Sequence, residues 1–117
     1  MLYNRNINFI WGYKVLIDFG IDEKIINNIK KIFSKYPEID KACIFGSRAR
    51  GDYKKNSDID IVLYGDSLTH TLNTKIFYDL EDMYIIYKID LINFNSLRDD
   101  DKLKENIINE EVEFYAK

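Results

Sequence analysis

Cysteine, proline and histidine each occur once in this sequence, at Cys43, Pro37 and His70. A single cysteine excludes an internal disulfide and fits a reducing compartment. His70 falls on a polar turn at the start of a predicted helix, which disfavours a histidine base or ligand. Long apolar runs are also missing. None approaches the roughly 20 residues of a membrane helix, and the first residues lack the basic start, apolar core and small-residue exit of a signal peptide. A cytoplasmic location and no membrane partner are therefore expected. Nor is there an excess of basic charge. The formal net charge is −3, which argues against a general nucleic-acid binder. It leaves a nucleotide site open, because local charge governs one.

What is present suits one globular domain: 117 residues, 46% hydrophobic and 32% charged, enough for a real core. Residues 1–20 are rich in aromatics, with Gly12 and Gly20 as punctuation, and could be a strand, a docking arm or an interface segment. From Asp22 to Tyr36, Ile25, Ile26, Ile29, Ile32, Phe33 and Tyr36 recur at helical spacing. Asp22 and Glu23 at the start and Lys35 near the end suit the helix dipole, and Pro37 should end the helix. Lys41 to Phe45 reads as a strand broken by Gly46. Ser47 to Arg50 can form one or two helical turns, and Asp52 to Ser57 is turn-like. Asp58 to Tyr64 is a second strand, with Asp58, Asp60 and Val62 on one face. Leu68, Leu72, Ile76, Phe77, Leu80 and Met83 stripe a further helix, and Tyr87 to Phe94 is a third strand. Asp99 or a neighbour can cap a last helix carrying Leu103, Ile107 and Ile108. Val112 to Tyr115 could add a short edge strand. The expected fold class is α+β, a small mixed β-sheet with helices packed on it.

The chemistry concentrates in GSRARGDYKKNSDID, residues 46–60. Gly-Ser at a strand-to-helix turn can cradle an anion on backbone N–H groups, although many such turns hold nothing. Asp58 and Asp60, at i and i+2 on a strand, point the same way. They repel unless a cation or proton lies between them, and oxygen ligands beside a triphosphate suit Mg²⁺ or Mn²⁺. The bland alternative is an acidic pair facing solvent. Asp90 interrupts an apolar strand, where an unpaired carboxylate is costly. It needs a metal, donors or a place at a mouth. If its strand adjoins that of Asp58 and Asp60, three carboxylates converge and could hold two metals, with Asp90 as the base for an attacking hydroxyl. Arg50 is the cation best placed to face β/γ-phosphates. Lys54 and Lys55 read as surface charge, and Arg48 as either a partner contact or a solvated residue. The joint pattern G-S-x10-D-x-D should arise by chance in on the order of one chain in a thousand of this length.

At this point the stretch GSRARGDYKKNSDIDIVL resembles the signature of the minimal nucleotidyltransferases, small members of the DNA polymerase β-like nucleotidyltransferase superfamily. The resemblance runs from about Phe19 to Tyr115, through YKIDLINF and INEEVEFY. It sets residues 1–18 apart as an extension and 19–117 as the catalytic domain. It implies a polymerase β-like core with Gly46 and Ser47 in the phosphate loop, Asp58 and Asp60 as metal ligands and Asp90 as the third acidic residue. Arg50 would contact the triphosphate, and Ser57 is grouped with the nucleotide-binding set. Many such proteins are similar to antitoxins paired with a HEPN-domain toxin, a ribonuclease, which they neutralise by moving AMP from ATP to a toxin tyrosine or by forming a complex. The cofactor implied is Mg²⁺, with Mn²⁺ as substitute, and ATP is the donor. A homodimer or hetero-oligomer is open, and direct nucleic-acid binding is not expected. Similar sequences often carry glycine where this chain has Glu110-Glu111, a departure expected to leave the active site untouched.

Other residues carry less. Cys43 reads as packing, and the run Asp99 to Asp101 as capping and solvation. Tyr53 and Tyr64 are candidates to touch the adenine. Three readings compete: an active protein AMP-transferase, an idle fold that blocks its toxin by contact, and a small-molecule nucleotidyltransferase acting on an antibiotic. The intact acidic triad disfavours the second. The small size disfavours the third, for which a partner chain would have to supply the acceptor site.

Overall fold

In this computed structural model the structure describes residues 19–117 in full and, before them, the backbone of Ile7–Ile10 and Tyr13–Leu16. These two segments, β1 and β2, pair antiparallel, with Ile7 opposite Leu16. The strand reading of residues 1–20 holds for that backbone. The docking-arm and interface readings rest on side chains that lie outside the described residues.

The helix α1 spans Glu23–Phe33. The Asp22 carboxylate caps it by accepting from the Lys24 N–H at 2.8 Å, which satisfies one of the donors every helix start leaves orphaned. Ile26, Ile29 and Phe33 are buried along one face. The helix stops four residues ahead of Pro37, in a tightened turn closed by Lys35 N–H to Ile32 O and Tyr36 N–H to Phe33 O. The proline lies beyond the terminator and does not act as one.

Four strands form the central sheet: β3 (Lys41–Phe45), β4 (Ile59–Tyr64), β5 (Ile89–Asn93) and β6 (Val112–Ala116), in the order β5-β4-β3-β6. β3 runs antiparallel to β4 and β6, and β5 runs parallel to β4, so the sheet is mixed as expected. The crossover from β4 to β5 is made by α3 (His70–Glu81), capped by the Thr69 hydroxyl on Leu72 N–H. The last helix, α4 (Lys102–Glu110), is capped by Asp101, within the acidic run that was expected to cap it.

Because side chains alternate along a strand, the sheet has two different faces. On one, Ala42, Ile44, Ile59, Ile61, Leu63, Ile89 and Leu91 pack against α1 and α3. On the other, Cys43, Phe45 and Val62 meet Ile107 of α4, with Leu103 packed alongside. Ile108, expected beside Ile107, points outward and is 55% exposed. Cys43 is packing, as anticipated, and burial pushes its thiol up to about 12. α4 leads directly into β6, whose first residue pairs with Ile44 near the end of β3. The last residue of α4 therefore arrives at the end of the sheet where Asp60 and Asp90 lie. Among the described residues no helix is long and apolar enough to cross a membrane.

Candidate active site

Register assembles the site. Asp60 lies opposite Phe45, the last residue of β3, and beside Asp90 in the parallel pairing of β4 with β5. Asp58 precedes β4 by one residue. The backbone therefore brings three aspartates to the same end of the sheet, where β3 gives way to a short helix, α2 (Ser47–Arg50). Their proximity is registered by Asp60. Burial first, then the charges of Asp90 and Asp58, push its carboxyl up to about 6, while Arg50 and Arg48 pull it back. Asp58 and Asp90 are both exposed. Of the three ways offered for Asp90 to escape the cost of burial, the structure agrees with a place at a mouth: β5 is an edge strand in the sheet and the residue is exposed.

Gly46 is fitted to this carboxylate. Its φ is +74°, and a Cβ there would overlap Asp60 Oδ2. Backbone conformation and space both demand glycine at this position. α2 is then closed by Ala49 and Arg50 N–H groups on Gly46 O, and Gly51 ends it at φ +94°. Gly46 and Ser47 remain partly exposed beside Asp60. Ser57, grouped with the nucleotide-binding residues, closes its own turn: its hydroxyl accepts from Lys54 N–H at 2.8 Å.

Arg48 overturns expectation. It is neither a partner contact nor solvated but 1% exposed. Its guanidinium donates to Phe19 O at 2.9 Å and Gly20 O at 3.2 Å, and to Ser57 O at 2.9 Å from one terminal nitrogen and 3.2 Å from Nε. The rings of Tyr53 and Tyr87 lie 5.0 Å and 4.7 Å from its guanidinium carbon. One side chain thus ties the residues before α1 to the loop that delivers Asp58. A sequence signal existed. Two arginines two apart in a helical turn lie about 200° around the axis, so when one faces solvent the other faces in.

Two other expectations need correcting. Tyr64 is not at the site. It sits at the opposite end of β4, across from Lys41, where its hydroxyl bonds Glu111 and its ring packs on Phe94. Tyr53 packs on Arg48 and beside Gly20, where a Cβ would strike its ring. Nor does the Glu110-Glu111 pair stand clear of the candidate site residues: Arg50 donates to Glu110 at 3.1 Å and to Asp52 at 3.2 Å. His70, Lys54 and Lys55 are exposed.

The donor set suits a hard divalent cation. It offers carboxylate oxygens only, and a cation among them would relieve the repulsion that Asp60 registers. Among the described residues no group of three or more His, Cys, Asp or Glu side chains is arranged to hold a metal ion.

Comparison with known proteins agrees with this fold. Residues 27–117 match the family model described as Polymerase beta, Nucleotidyltransferase. Two relatives from Methanocaldococcus jannaschii, both named as protein adenylyltransferases, are 34% identical. One match covers 75% of this chain and 96% of the relative; the other covers 63% and 94%. Among solved structures, the chain resembles a toxin–antitoxin crystallised with AMP-PNP, with a TM-score of 0.63 and 20% identity over 83% of this chain and 75% of that one. It also resembles a complex of a tri-AMPylated Shewanella oneidensis HEPN toxin with its MNT antitoxin, with a TM-score of 0.61 and 18% identity over 83% and 74% of the two chains. At these identities the two structures speak for the fold. The match over residues 27–117, with a relative 34% identical over most of its length, places this chain in the polymerase β nucleotidyltransferase family.

Proposed function

We propose that this protein transfers AMP from ATP to a hydroxyl, that of a tyrosine, on a partner HEPN-domain toxin and thereby acts as its antitoxin. The observation that carries the reading is the register that sets Asp58, Asp60 and Asp90 beside the Gly46-Ser47 turn. The adenylyltransferase names of the relatives and the AMPylated toxin in a structural neighbour support the direction of transfer. Residues 19–117 form the catalytic unit in this reading.

Asp58, Asp60 and Asp90 would hold Mg²⁺, or Mn²⁺ in its place. Such an ion, when bound, supplies Lewis-acid stabilisation of the triphosphate. The chain's own groups divide the remaining work. The Gly46-Ser47 turn cradles phosphate, where only glycine leaves room beside Asp60. Asp90, exposed at the mouth, accepts the proton of the acceptor hydroxyl. The hydroxyl oxygen bonds to the α-phosphorus, and the bond from that phosphorus to the bridging oxygen of the β-phosphate breaks. Pyrophosphate leaves with the electron pair. Arg50 offsets the charge that develops on it. The acceptor comes from another chain.

The test uses ATP labelled in its α-phosphate, Mg²⁺ and the product of the adjacent reading frame. Label should appear on that partner and vanish when Asp58 and Asp60 are both changed to Asn. Neutralisation of the toxin that survives those changes, with no label transferred, would replace this reading with inhibition by contact. Transfer to an aminoglycoside and never to protein would replace it with small-molecule modification.

A further inference from the structure

We infer that Glu110 is a specificity-determining residue that competes with the nucleotide's β- and γ-phosphates for Arg50. The inference rests on the reading of Arg50 as a triphosphate contact, and it adds a residue from the far end of the chain to that site.

Arg50 is the side chain of α2 that faces outward, since the Arg48 guanidinium is committed to backbone carbonyls. Its position at the site rim follows from α2, which runs from Gly46, the residue packed against the Asp60 carboxylate, to Arg50. Yet Arg50 is already bonded to two carboxylates, Asp52 through Nε and Glu110 through a terminal nitrogen. A guanidinium facing two carboxylates presents no net positive charge to an incoming polyanion. With Asp58, Asp60 and Asp90 close by, the mouth is acidic where a triphosphate must enter. Phosphate oxygens and the Glu110 carboxylate seek the same planar donors, so the two cannot both hold that edge of the guanidinium.

The two acids differ in how they are held. Asp52 is 64% exposed, on a loop two residues from Arg50. Glu110 is 22% exposed and ends α4, 60 residues further along the chain. Its backbone position is fixed by α4 on one side and the β6–β3 pairing on the other. Glu110 is thus the anchored competitor. A nucleotide with β- and γ-phosphates can displace it from Arg50, and one with only an α-phosphate gains nothing by doing so. In this way the carboxylate makes Arg50 respond to the triphosphate end of the donor.

Calorimetric titration of the purified chain with ATP and with AMP, each with Mg²⁺, tests this. Glu110→Gln keeps the shape of the side chain and removes the charge. ATP should bind about threefold tighter to it, the scale of a partly exposed ion pair, with AMP affinity unchanged. In an Arg50→Ala background the same substitution should have no effect on ATP. An equal gain for AMP, a gain that persists without Arg50, or no gain at all would overturn the inference. If Arg50→Ala alone leaves ATP affinity unaltered, Arg50 is no triphosphate contact and the inference falls, while label transfer through Asp58 and Asp60 stands or falls separately.

Discussion

Asp60 carries the conflict of this site in one side chain. Its carboxyl is raised from 3.8 to about 6, chiefly by burial and then by Asp90 and Asp58. A carboxyl raised on folding is ionised first in the unfolded chain. As pH climbs between the two values the unfolded state releases a proton that the native state keeps, so stability falls through that window and stays lower above it. Asp60→Asn should therefore stabilise the metal-free protein at about pH 8, by about 1 kcal/mol after allowance for its half-exposed position, and the gain should fade toward about pH 4. Urea unfolding in the presence of a chelator at the two pH values measures it. Adding Mg²⁺ should raise the melting temperature of the native protein more than that of the variant. Arg48 presents the opposite case, a buried charge whose donors meet carbonyls from two separate segments. Arg48→Met keeps the bulk of the stem and strands those carbonyls. It should cost about 3 kcal/mol in a urea titration, and Arg48→Lys, which cannot fork to both segments, about 2 kcal/mol.

Between β3 and β4 the element that matters is the turn into α2, and it works only with glycine at its head. Gly46→Ala has to overcome a positive φ and an overlap with Asp60. The strain should push the carboxylate out of place, so label transfer should drop by at least tenfold while far-UV circular dichroism shows the fold retained. Gly51→Ala meets no neighbour, though its φ of +94° still costs strain. It should leave transfer far less affected, and the contrast separates a crowded glycine from a merely left-handed one. This unit was legible in the sequence because its signals are local: a glycine after an apolar run, a D-x-D at strand spacing, acidic residues ahead of helices. Asp90 was legible too, as a charge in an apolar strand that needed a metal, donors or a mouth, but the choice of the mouth was not, since edge position depends on strand order. Tyr64 misled for a related reason. It shares the Asp60 face by period two, yet four residues of strand, about 13 Å, put it at the other end of the sheet. Arg48 and Glu110 were misread because their partners come from residues 19–20 and from 60 residues away, and no local pattern encodes those meetings.

Across the whole molecule, the closing segment does two jobs that its sequence does not distinguish. α4 and β6 deliver Glu110 to the site, and they also close the sheet along β3, with Lys117 N–H bonding Asp40 O at the far end. Phe114 of β6 is 1% exposed and lies against Phe33 of α1 at 6.1 Å between ring centres. The last strand therefore ties the sheet to α1. By apolar character alone Phe114 and Ile108 look alike, but Ile108 faces solvent. Removing a buried phenyl ring loses its transfer free energy and leaves a cavity, so Phe114→Ala should cost about 3–5 kcal/mol. That is a large share of the roughly 5–15 kcal/mol available to a domain. Ile108→Ala should change stability by no more than about 0.5 kcal/mol. Urea titrations of the two variants decide the matter. Equal effects would mean that β6 is a loosely held edge and that the position of Glu110 beside Arg50 is not fixed by it. The expected gap of several kcal/mol would show that β6 completes the core and is held as firmly as α1, against which it packs.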